Sequence, residues 1–245
     1  MLQMADWGHL TLRDSYFSIA QGQFDGYSVV NVTGYNADVD SGGDETVWAA
    51  GGLYPWSVWD SVRVVTVVSA SASDTGSVVV SGLDADFNPI TEEIDCRGLT
   101  PTTGTVQFKR VNSAVYKNGA SNNAGNVTLT ANGNTIGLIQ NGIGQTLNGI
   151  YTVPAGYTAY IITGNFSVQK GEDAQVRFFI RPFGQGFRIA HIGEVYENTY
   201  RYDFYAPVAM PEKTDLDVQA AQVETNNTRV TTNFTMILVR NNAVQ

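Results

Sequence analysis

Reactive side chains are scarce in this chain, and their spacing limits what they can do. The two histidines, His9 and His191, lie far apart in the sequence and neither partners a serine in a nucleophilic arrangement. His191 sits in the alternating run Phe187-Arg188-Ile189-Ala190-His191-Ile192 and is expected to be partly buried and held by a backbone group. Cys96 is the single cysteine, which excludes an intramolecular disulfide and a cysteine-based zinc site. At the end of a strand it is expected as a buried thiol.

Carboxylates come closer to a site. Asp38-Val39-Asp40-Ser41-Gly42-Gly43-Asp44-Glu45 has the acidic density of a calcium loop. An EF-hand needs regularly spaced oxygen ligands and a closing bidentate glutamate. Counted from Asp38, an inner ligand position falls on Gly42 and the closing one on Ala49. A solvated acidic turn without a metal is therefore expected. Glu92 and Glu93 are adjacent on a strand, so they point to opposite faces and cannot flank one substrate. Glu194 and Glu197 offer nothing stronger. Gly142-Ile143-Gly144-Gln145-Thr146-Leu147-Asn148-Gly149 lacks the third dinucleotide-binding glycine and lies among strands, so it reads as a turn or bulge. No catalytic, metal-binding or cofactor-binding residue is expected, and the protein is not expected to be an enzyme.

The aromatic residues say more. Trp48, Tyr54, Trp56 and Trp59 crowd an irregular, Gly-rich stretch. A loop cannot bury such rings in itself, so they must pack on the chain's own sandwich, on a neighbouring subunit or on a sugar ring. They are the candidate assembly interface. Tyr196, Tyr200, Tyr202, Phe204 and Tyr205 form a second group, which reads as cross-strand packing.

The elements that hold these residues are strands. Period-two runs rich in β-branched and aromatic residues recur at 62–68, 78–84, 90–96, 176–181, 200–205, 216–220 and 230–239, separated by Gly, Asn, Asp and Pro. Further strands are expected over 107–116, 126–130 and 135–140. Pro154-Ala155-Gly156 reads as a tight corner joining two modules. The two weakly helical stretches, 10–21 and 44–50, read as loop or a single turn. The fold class is all-β, with β-sandwich or jelly-roll-like modules and an irregular N-terminal arm. The arm spans 1–60, the first module 61–150 and the second 151–245.

Charge narrows the partners. The 245 residues carry 14 Lys and Arg against 23 Asp and Glu, a net charge of −9. Charged residues make up 15 %, against the usual ~25 %. Cations are too few to cluster on phosphates, so neither nucleic acid nor an anionic membrane is an expected partner. The opening Met1–His9 has no basic or apolar region typical of a signal peptide, and no run is long enough to span a bilayer as a helix. A soluble chain made in the cytoplasm is expected.

Taken together, several blocks resemble a family of tailed-bacteriophage virion structural proteins. They are Gly26-Tyr27-Ser28-Val29-Val30-Asn31 with Asp38-Val39-Asp40, Gly82-Leu83-Asp84 followed by Asn88-Pro89-Ile90-Thr91-Glu92, and Tyr151 to Tyr160. Arg177-Phe178-Phe179-Ile180-Arg181-Pro182-Phe183 and Pro211-Glu212-Lys213-Thr214-Asp215-Leu216 also fit it. The likeness runs from about 22 to 240. It implies a β-sandwich particle component without enzymatic activity, synthesised in the host cytoplasm and located in the virion. The leading expectation is a capsid decoration or cement protein. It would bind the major capsid protein or other virion proteins and self-associate as a closed cyclic homo-oligomer, and by binding only the assembled lattice it would stabilise that state. The alternatives are a tail adaptor or fibre-anchoring component and, in another class, a host-surface glycan binder using Trp48, Trp56 and Trp59.

Overall fold

A computed structural model describes residues 12–118 and 121–242. Trp7, His9 and the opening segment lie outside the described residues. The protein is all-β, and its strand pairings are antiparallel.

One pair of sheets encloses the first core. β3 (Thr66–Ser69), β6 (Thr102–Thr103), β8 (Val127–Ala131) and β9 (Asn134–Ile139) run in the order β6-β3-β8-β9. β4 (Ser77–Leu83), β5 (Pro89–Asp95) and β7 (Arg110–Lys117) run in the order β5-β4-β7. Alternate residues from both sheets, among them Val67, Leu129, Val78 and Val80, are fully buried.

A second pair encloses the other core. β1 (Tyr27–Val39), β11 (Tyr157–Val168), β14 (Thr199–Met210) and β16 (Thr228–Arg240) follow the order β1-β16-β11-β14. β10 (Ile150–Thr152), β12 (Asp173–Arg181), β13 (Arg188–Tyr196) and β15 (Asp215–Ala221) follow β10-β15-β12-β13, with the short β2 (Glu45–Thr46) added on β15. Phe178 of one sheet meets Phe234 of the other edge-on at 5.2 Å, a direct contact across the sandwich. Among the described residues no helix is long and apolar enough to cross a membrane.

Two expectations need correction. The stretch expected as a loop or single turn holds a nine-residue helix, α1 (Leu12–Ala20). Its sequence has neither Gly nor Pro, and Gly22, at φ 72°, ends it while its N–H bonds back to Ile19. The arm over 1–60 is not an arm through its middle. Tyr27–Val39 pairs with β16 from Tyr27↔Val239 onward, so the first long strand is held by the last. Its period is hidden because two of its inward positions are Gly34 and Asn36 rather than apolar residues. A Cβ on Gly34 would lie 2.4 Å from the Val47 carbonyl oxygen, so only glycine lets β1 approach that segment. Asn36 is buried and spends its amide on Glu45 and the Thr46 carbonyl.

Candidate functional site

The four predicted aromatics come together, but inside the molecule. Trp48, Tyr54, Trp56 and Trp59 are 2 %, 4 %, 9 % and 1 % exposed and belong to the first core. The short 3-10 helix Trp56–Asp60 turns Trp56 and Trp59 inward. Rings meet edge-on from Trp48 to Tyr54 (5.1 Å) and from Tyr54 to Trp56 (4.9 Å), and Trp56 reaches Phe187 at 5.4 Å. Burial is tolerable because each indole N–H has an internal acceptor. Trp48 donates to the Gly51 and Gly52 carbonyls, Trp59 to the Tyr54 hydroxyl and Trp56 to Asp217. Burial pushes the Tyr54 phenol far above its ordinary range. These rings therefore pack on the chain's own core and are not open to a neighbour or a sugar.

Sequence reasoning missed the seam these rings belong to. On β15, Leu216 and Val218 face the second core, while Asp215 and Asp217, two residues apart and both buried, face the first. Asp215 receives two hydrogen bonds from Arg110 (2.7 and 3.0 Å), two from Arg181 (2.9 and 2.7 Å) and one from the Thr152 hydroxyl (2.7 Å). Asp217 accepts from Thr46, Trp56 and Gln219. Burial holds the Asp217 carboxyl above the usual carboxylate range, against the opposing pull of those three hydrogen bonds. The available signal was the run Asp-Leu-Asp-Val-Gln-Ala-Ala. Paired carboxylates at alternate positions of a buried strand demand partners.

The other predicted residues are spread out. Glu45 secures the acidic turn by accepting from the Asp40 and Gly52 backbone N–H groups, and Asp44 pairs with Arg177 at 2.6 Å. Glu92 accepts from the Thr105 and Val106 N–H groups, whereas Glu93 turns outward to Ser77 and Lys117. Glu194 accepts from Gln175, and Glu197 occupies a turn at φ 53°. Gly142 and Gly144 both take positive φ in a turn. Cys96 is buried, and burial raises its thiol pKa.

His191 is not held by a backbone group. Its ring lies among Tyr200, Tyr202 and Phe204, with the Tyr200 hydroxyl 3.5 Å from Nε2, and burial lowers its pKa.

Part of the exposed apolar surface forms a rim. β13 and β14 are each the end strand of their sheets, so one edge of each has no strand partner among the described residues. Ile189, Ile192 and Tyr196 on β13 are about half exposed or more, and Tyr205 on β14 is fully exposed. Beside them Arg201 and Asp203 share an exposed ion pair at 3.0 Å.

No protein-family description and no curated protein matches this chain. Solved structures do. The crystal structure of an infectious bursal disease virus VP2 subviral particle is 8 % identical, over 93 % of this chain and 78 % of that one, with a TM-score of 0.24. The structure of the Gx strain of that virus is 10 % identical, over 94 % and 78 %, with a TM-score of 0.26. At such TM-scores the overlays do not define a shared fold.

Proposed function

We propose that this chain is a non-enzymatic structural subunit of a tailed-phage virion, a capsid decoration or cement protein, and that it meets a second copy of itself through the free edge of β14. The sequence blocks that resemble phage virion proteins support the setting. The edge carries the mechanism. An open strand offers unpaired backbone groups that another strand can complete. Charges and proline commonly blunt such edges; β14 carries Arg201, Asp203 and Pro207, and it also displays Tyr205 and the partly buried Tyr200, Tyr202 and Phe204.

The order of residues on β14 is self-complementary. If two copies pair antiparallel about Tyr202, Arg201 of each faces Asp203 of the other on the outer face. Tyr200 faces Phe204 on the inner face. Opposite charges and aromatic pairs directly across a ladder each contribute roughly 0.2–1 kcal/mol. The contact is isologous and closes as a two-fold, the commonest symmetry of soluble oligomers.

Sedimentation velocity tests the contact. The wild-type chain should sediment as a dimer, Arg201→Asp should shift it towards monomer, and adding Asp203→Arg should restore the dimer. A wild-type monomer at all concentrations, or a dimer indifferent to Arg201→Asp, removes the β14 edge from the account. Densitometry of purified particles tests the setting. A high copy number matches a capsid lattice, and a low one matches a tail adaptor or fibre anchor instead.

A further inference from the structure

We propose that the cleft where the two cores meet at Arg110, Arg181 and Lys213 is a binding site for a phosphate-class oxyanion. This stands apart from the virion reading. The cleft has a volume of about 260 Å³ and is built from both halves of the protein. The end of the 3-10 helix, the β4–β5 turn and the start of β7 supply one wall. The turn after β12 and the segment before β15 supply the other.

Its charge is out of keeping with the rest of the molecule. Lys109, Arg110, Arg181 and Lys213 all line it, four of the 14 basic residues in a chain of net charge −9. Only two carboxylates line it with them, Asp60 and Asp215, which leaves two positive charges in excess. Asp215 is already shared by Arg110 and Arg181. Neither Lys109 nor Lys213 has an ion-pair partner among the described residues. Lys109 Nζ donates to the Asp60 carbonyl oxygen, and Lys213 Nζ stands 5.7 Å from the Phe87 ring centroid and 5.4 Å from that of Phe183. A doubly charged oxyanion matches the excess, and ammonium and guanidinium groups are its usual donors.

The backbone adds an independent sign. Phe87 and Lys213 take φ of 68° and 61°, two of six such non-glycine residues among those described. For a bulky side chain this conformation is uncommon, and it concentrates at sites where ligands are held. Here both strained residues line the same cleft, and the ammonium of one faces the ring of the other. Burial and the neighbouring Arg110 charge lower the Lys109 pKa, outweighing the opposing pull of Asp60 and Asp215.

Isothermal titration of the full chain with inorganic phosphate, against chloride at matched ionic strength, tests the site. Saturable binding of phosphate but not chloride is expected. Lys213→Asn removes the charge with a residue that tolerates positive φ, and Lys109→Gln is the second variant should the first fail to fold. Each should weaken phosphate binding about tenfold, the scale of one charge-assisted hydrogen bond, while Lys170→Gln on the far surface should not. Methyl phosphate separates the sources. Equal or tighter binding points to a phosphate carried on a larger molecule, and weaker binding points to free phosphate. Equal responses to phosphate and chloride, wild-type affinity in both cleft variants, or an equal loss in Lys170→Gln would overturn the proposal.

Discussion

Arg110, at the start of β7, grips Asp215, at the start of β15, through two hydrogen bonds of 2.7 and 3.0 Å. The residues are 105 positions apart and belong to different halves, so this pair joins the two cores. Both side chains are nearly inaccessible. Removing Arg110 leaves Asp215 buried with Arg181 and the Thr152 hydroxyl as its remaining partners. Arg110→Ala should lower the unfolding free energy by about 1.5–3 kcal/mol, the scale of a lost hydrogen bond to a charged group. Urea denaturation measures this, and a loss under 1 kcal/mol would mean that the seam is solvated.

The two buried indoles nearest the seam behave as core. Trp59→Ala should cost about 3–5 kcal/mol, the range for large aromatic truncations. Its effect on dimerisation should be no larger than the loss of folded chain explains. Thermal melts and sedimentation on the same samples separate the two. A stable variant that fails only to associate would return Trp59 to an interface.

These tryptophans show what the sequence can carry. Their clustering signalled burial, but the groups that cover them include Phe187 and Asp217, which lie far along the chain. No local pattern encodes such contacts, and Gly34 and Asn36 at inward positions likewise hid β1. The hairpin of β4 and β5 was legible because the strands alternate and its turn is local. Asp84 accepts from the Asp86 and Asn88 N–H groups and so closes it. Glu92 and Glu93 were legible for a similar reason, since opposite faces follow from adjacency on any strand. The seam was not, because Arg110, Arg181 and Asp215 come from three separate strands and meet only in the folded molecule.

Asp74 gives a pH dependence of one sign. Burial pushes its carboxyl up, but bonds from the Ala124 and Gly125 N–H groups and the Ser69 hydroxyl outweigh burial and hold the pKa below the usual range. Its contribution is therefore complete above the unfolded value of about 3.9 and is lost as pH falls through the lower folded value. The stability gap between wild type and Asp74→Ala should narrow as the solution is acidified below about pH 4. A gap that holds constant into that range would show that Asp74 is not anchored as a carboxylate.

Asp217 has the opposite sign. Burial raises its folded pKa, so the folded state takes up a proton before the unfolded chain does. Between the raised value and about 3.9, acidification favours the folded state. Wild type should therefore gain stability relative to Asp217→Asn as pH falls through that window. Paired chemical melts at neutral and mildly acid pH check the direction, and a relative loss on acidification would contradict the assignment.

The most direct measurement is the number of copies of this chain in purified, washed phage particles, counted by quantitative mass spectrometry for wild type and for β14-edge variants. A fixed, high copy number in the wild type is predicted, with a marked fall for Arg201→Asp and recovery when Asp203→Arg is added. Absence of the chain from washed particles, or undiminished incorporation of Arg201→Asp, would contradict a virion subunit assembled through this edge.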